Sequence, residues 1–90
     1  MSTGPNLSSR HRRTLERIFE HPVPPNIHWR DVISLFEALG ATVTQRRGSR
    51  VSVSLGGSMQ TFHEPHPQRV TNKGAVAAVR IFLETEGIRP

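Results

Sequence analysis

Three arginines crowd one short stretch, Gln45-Arg46-Arg47-Gly48-Ser49-Arg50, and two histidines, His63 and His66, flank Glu64 and Pro65 further along the chain. Each guanidinium offers a planar fork of donors that pairs bidentately with phosphate oxygens. An imidazole, which ordinarily titrates near pH ~6.5, is the side chain suited to acid–base work near neutral pH. Arg10, Arg12, Arg13 and Arg17 form a second basic group near the N-terminus. The arginines suit a phosphate backbone as the ligand. The bland alternative is a solvated basic surface with two histidines in a proline-rich turn.

Length and composition bound that chemistry. The chain has 90 residues, with 12 Lys+Arg against 7 Asp+Glu and a formal charge of +5. Lys73 is the only lysine, so the positive charge is almost entirely arginine. A single domain of this size buries roughly 60–65% of the surface its unfolded chain exposes, which leaves one modest core and puts function on the surface. The absence of cysteine excludes disulfides, cysteine–zinc sites and thiol catalysis. No apolar run approaches the ~18–20 residues of a membrane span, and the first residues lack the apolar core of a secretory signal. The expected location is the cytoplasm, with no membrane partner. His63-Glu64-Pro65-His66 has the residue types of a metal site, but Pro65 breaks the helix that would align the two histidines and no second ligand pair is evident. No metal and no cofactor are expected. His11, His21 and His28 read as surface or capping residues, and Glu16, Asp31 and Glu37 as helix electrostatics.

Positioning these residues requires a particular order of elements. Residues 1–8 read as a frayed tail. Ser8 or Ser9 can cap a helix from about Arg10 to Glu20, with Leu15, Ile18 and Phe19 as its apolar stripe and the arginines opposite. Pro22, Pro24 and Pro25 impose an extended linker through Asn26. Trp29, Val32, Ile33, Phe36 and Leu39 then recur at helical spacing, and Gly40 stops that second helix. Trp29 begins the stripe and reads as core. From Ala41 the period becomes two: Ala41–Thr44, then Arg50–Leu55, then Met59–His63 after a Gly56-Gly57 hairpin turn. Thr71 is a candidate cap for a last helix to about Glu86, with Val76, Val79, Phe82 and Leu83 inward. The predicted fold is α+β, in the order α-α-β-β-β-α, a three-stranded antiparallel sheet with helices on one face. With Val51, Val53 and Leu55 toward the helices, Arg50, Ser52 and Ser54 point outward. Arg46, Arg47 and Ser49 in the preceding turn extend that row into a candidate RNA-binding surface.

Leu39-Gly40, the Gly48-Ser49 turn, Pro65-His66-Pro67 and the ending Phe82-Leu83-Glu84-Thr85-Glu86-Gly87-Ile88 come in an order and spacing that resembles the HicA family. These are small toxins of bacterial toxin–antitoxin modules with a double-stranded-RNA-binding-like fold. The resemblance covers roughly Trp29 to Ile88. It divides the chain into a disordered tail at 1–8, an N-terminal helical extension with its Pro-rich linker at 9–25, and a HicA-like α/β domain at 26–90. It implies a metal-independent mRNA endonuclease, monomeric when free and neutralised by a HicB-like antitoxin. It also implies a catalytic His near the start of the second strand, just after the Gly-Ser turn, where this chain has Arg50 and Val51. Three readings stay open: RNA binding without cleavage, cleavage with the base moved to His63 or His66, or a fold kept for a protein partner.

Overall fold

Alternation of apolar and polar residues sets the sheet. The computed structural model describes residues 7–65 and 69–90, and in it β1 (Thr42–Gln45), β2 (Arg50–Leu55) and β3 (Ser58–His63) form an antiparallel sheet in the order β1-β2-β3. Thr42 pairs with Ser54 and Gln45 with Val51, while Arg50 pairs with His63 and Leu55 with Ser58. Val51, Val53, Leu55 and Phe62 are buried toward the helices, as period two requires.

Of the three helices, α1 (Ser9–Ile18) packs on the other two, while α2 (Trp29–Ala38) and α3 (Lys73–Thr85) cover that inner face. The order is the predicted α-α-β-β-β-α, and no described helix is long and apolar enough to cross a membrane. α2 ends where Gly40, at φ +91°, lets Ala41 N–H reach back to Phe36 O (2.9 Å) while Gly40 N–H bonds Glu37 O (3.0 Å). A residue with a Cβ would resist that left-handed step. α3 closes the same way, with Ile88 N–H on Leu83 O (2.9 Å), which seats Ile88 in the core.

Several boundaries differ from the sequence reading. The cap of α3 is Asn72, whose Oδ1 accepts from Ala75 N–H (2.8 Å), and not Thr71. Thr71 is unavailable because its own N–H bonds Ile27 O (2.7 Å), beside a bridge between His28 and Val70, and this pairing turns its side chain inward to 2% exposure. α1 stops at Ile18, two residues before Glu20, as Phe19 N–H tightens onto Glu16 O (3.2 Å) ahead of the proline segment. β1 begins at Thr42 because Ala41 is spent on the α2 terminus, and β3 gains Ser58.

The N-terminal helix shares the core of the α/β domain. Leu15 and Ile18 belong to the same buried cluster as Leu35, Phe36 and Val79. Of the segment expected as a tail, the two described residues are Leu7, which packs partly against that cluster, and Ser8, whose Oγ accepts from His11 N–H (3.2 Å). His11, expected as a surface or capping residue, is half-buried and ties the helices together: its Nδ1 is hydrogen bonded to Ser8 Oγ (2.9 Å) and its Nε2 to Ser34 Oγ of α2 (2.7 Å). Ile18→Ala should therefore lower the stability of the whole domain by about 2–5 kcal/mol, as deletion of a fully buried aliphatic side chain does. Urea unfolding followed by fluorescence of Trp29 checks this; an α1 that folded apart from the domain would leave the Trp29 transition in place.

Candidate functional site

The open face of the sheet is built by the residues that period two leaves outside. Along β2 these are Arg50, Ser52 and Ser54, matched across the ladder by His63, Thr61 and Met59. At the end of the sheet next to the first strand turn, Arg46 N–H donates to Arg50 O (2.8 Å), which extends the β1–β2 ladder by one pair. Arg46, Arg50 and His63 thus stand side by side on three adjacent strand positions.

The hydrogen-bond pattern says how close they are. Glu64 N–H donates to Ser49 O (2.6 Å), one position beyond the Arg50 and His63 pair. Arg50 and His63 are therefore a non-hydrogen-bonded pair, the kind whose side chains lie nearest, with Cβ atoms about 4.5–5.5 Å apart. His63 is exposed, so its imidazole and the Arg50 guanidinium share one patch of solvent-facing surface.

Both arginines are anchored through Nε. Arg46 Nε donates to Ser52 Oγ (3.0 Å), and Arg50 Nε donates to Arg47 O (3.4 Å). This use of Nε holds the stems and leaves the terminal guanidinium nitrogens, the pair that grips a phosphate, facing outward. Arg47 is exposed at the tip of the turn, where Gly48 adopts φ +64°. Among the described residues the one ion pair is Arg89 with Glu84 (3.4 Å), so no carboxylate neutralises the row.

Other residues in the candidate set fall elsewhere. Ser52 faces the open side as read, but it is only 7% exposed, because it lies on the central strand under the Arg46 stem and next to Thr61 Oγ1 (3.5 Å). Its role is to anchor Arg46, and it offers little to a ligand directly. Ser49 is half-buried and contributes its carbonyl to the ladder. Arg10, Arg12 and Arg13 are exposed on α1, in the helix layer, where Arg10 lines a shallow pocket with Arg30, Asp31 and Ser34 of α2. Arg17 is half-buried and its Nη2 donates to Asn26 Oδ1, which fastens α1 to the linker. His66 lies outside the described residues. Val51 is 2% exposed and points into the core, so of the two residues after Gly48-Ser49 only Arg50 faces the open side of the sheet.

Two residues went unassigned in the sequence. Glu64, the residue after His63, is carried by the extra ladder bond to the end of the sheet, and Arg30 at the start of α2 reaches the same end from the helix layer. Alternation past His63 gives a faint signal for Glu64; only the packing of α2 on the sheet reveals Arg30.

A family model described as the HicA toxin of bacterial toxin–antitoxin matches residues 29–87, more than half of the chain. No curated protein and no solved structure matches it. The matched span holds all three strands, α2 and α3, and it leaves α1 outside.

The turn that presents Arg47 depends on a left-handed residue. Nothing lies within 4 Å of where a Cβ on Gly48 would go, so Gly48→Ala carries a purely backbone cost of about 1–2 kcal/mol. Gly57 is equally open but has no positive φ, so Gly57→Ala should leave stability within ~0.5 kcal/mol. Denaturant midpoints of the two variants, measured side by side, check the contrast.

Proposed function

Because the chain belongs to the HicA toxin family of bacterial toxin–antitoxin modules, we propose that it acts on RNA through the open face of its sheet, gripping the phosphate backbone with Arg46, Arg47 and Arg50. The observation that carries this reading is the row of Arg46, Arg50 and His63 on adjacent strand positions, with both arginine stems anchored through Nε. A polar, arginine-edged face of this kind suits backbone contact.

The same row supports cleavage without a metal. His63 takes the proton from a ribose 2′-hydroxyl; the 2′-oxygen attacks the adjacent phosphorus, and the 5′-oxygen leaves and takes up a proton. The products are a 2′,3′-cyclic phosphate and a 5′-hydroxyl. Arg50 and Arg46 stabilise the charge that builds on the phosphorane oxygens. Arg50 cannot itself serve as base, because a guanidinium stays protonated at any working pH. His66 is the second candidate base. The protein partner is a HicB-like antitoxin, which restrains the toxin by covering this surface.

A second reading is favoured by one specific residue: Arg50 stands where the family resemblance calls for a His, which fits an RNA-binding or protein-binding module that does not cut.

Incubation with a long mRNA in the presence of a chelator separates these readings. The native protein should generate 2′,3′-cyclic ends, and His63→Ala should slow cleavage by about 10²–10⁴-fold, the usual contribution of a general base. Loss in His66→Ala with His63→Ala unaffected moves the base to His66. Binding without cleavage leaves the module reading. In either binding outcome, Arg46→Ala, Arg47→Ala and Arg50→Ala should each lower the log–log salt slope by about 0.7, one released counterion per lost single-strand phosphate contact. Absence of salt-sensitive RNA binding would end the nucleic-acid reading.

A further inference from the structure

A groove round the same end of the sheet is left unused by backbone contact alone. It has a volume of ≈ 310 Å³, within the range of small-ligand pockets, and lies between α2 and the sheet. Val43, Val51 and Trp29 form its apolar part, and Arg30, Glu37 and Glu64 give it charge. Arg30 and Glu64 have opposite charges and face one groove, yet they form no ion pair with each other, since Arg89 with Glu84 is the one such pair among the described residues.

We propose that this groove is a base pocket that selects guanine in the RNA held by Arg46 and Arg50; the proposal rests on the RNA reading above. Apolar walls suit the face of a base, and sequence-specific contact with single-stranded RNA works on bases turned out in this way. The charges pick the base. Guanine alone among the four RNA bases presents two adjacent donors, N1–H and the N2 amino group, and the two oxygens of a carboxylate accept both. Guanine O6 and N7 are the acceptors that a guanidinium bridges. Glu64 supplies the first contact and Arg30 the second. Glu64 is also the carboxylate nearest the phosphate row. It directly follows His63, and its backbone is fixed to Ser49, so a nucleotide with its phosphate on Arg50 has Glu64 round the end of the neighbouring strand β3.

Fluorescence anisotropy with short labelled RNAs tests this, using uridine strands that carry one central guanosine, adenosine or cytidine. The native protein should bind the guanosine strand about tenfold tighter than the others, the discrimination typical of one good bidentate base contact. Glu64→Gln keeps the side-chain size but sets an amide donor against a guanine donor. It should abolish the preference while leaving affinity for the all-uridine strand unchanged, which also reports that the variant is folded. Glu16→Gln, on α1 and outside the groove, should leave the preference intact. Equal binding of all strands by the native protein, or a guanosine preference that survives Glu64→Gln, overturns the pocket while the RNA reading stands. Equal binding combined with weaker capture of the cognate antitoxin by Glu64→Gln assigns the groove to the protein partner and also overturns it. Failure to bind any strand defeats the RNA reading itself and the pocket with it.

Discussion

Phe62 lies among Trp29, Phe36 and Phe82, with ring centroids 6.3, 5.9 and 5.9 Å away, and this contact fixes which face of β3 meets the helices. Side chains alternate along a strand, so an inward Phe62 obliges Thr61 and His63 to point outward. A slip of one residue would bury the imidazole and expose the phenyl ring, forfeiting about 1.5–3 kcal/mol of burial before the cost of desolvating the imidazole. Val51 applies the same constraint to β2, since its burial opposite Phe62 turns Arg50 outward. The meeting of Arg50 and His63 on the open face is therefore set by packing on the other side of the sheet. The aromatic cluster matters to the site although none of its rings reaches the open surface.

The open face carries an electrostatic cost that the packing sustains. Arg46 and Arg50 stand directly opposite each other on neighbouring strands, an arrangement of like charges that works against pairing by roughly 0.2–1 kcal/mol. Among the described residues no carboxylate forms an ion pair with either. Repulsion of this kind is relieved by an anion that bridges the two guanidinium groups, and a phosphate does so without disturbing the Nε bonds to Ser52 and to the Arg47 carbonyl. Ser52 is thus useful for being covered: on an outer strand it would face solvent, whereas on the central strand it holds the Arg46 stem.

The fold was legible wherever a signal is periodic and local. The stripe from Trp29 to Leu39 and the alternation in Arg50–Leu55 each predict an element that the structure contains. Long-range pairings were harder. Thr71 is a sound cap by residue type, and only its backbone bond to Ile27, far away in sequence, passes the role to Asn72. The apolar stripe of α1 marks a face to be covered, but that Leu15 and Ile18 join the main core and that His11 reaches Ser34 both depend on how a proline-containing linker folds back. For the site, residue types marked Arg46, Arg47, Arg50 and His63, but not their register. Arg17 looked like the other α1 arginines until Asn26 proved to be its partner.

Register also narrows what the replacement of the family's histidine means. Val51 faces the helix side of the sheet, away from the row of Arg46, Arg50 and His63, so for the open face the comparison reduces to Arg50. A proton acceptor at Arg50 and one at His63 are not distant alternatives. They are the two halves of one non-hydrogen-bonded pair, with Cα atoms about 4.5 Å apart and side chains on the same face. An imidazole on β3 in place of one on β2 is displaced by one strand spacing, and under the proposed cleavage it would still reach the same phosphate. The proposed role for the guanidinium on β2 is charge stabilisation, a task that an imidazole performs only when protonated and an arginine performs at every pH. The proposed cleavage thereby divides proton removal and charge stabilisation between two residues held by a single ladder pair.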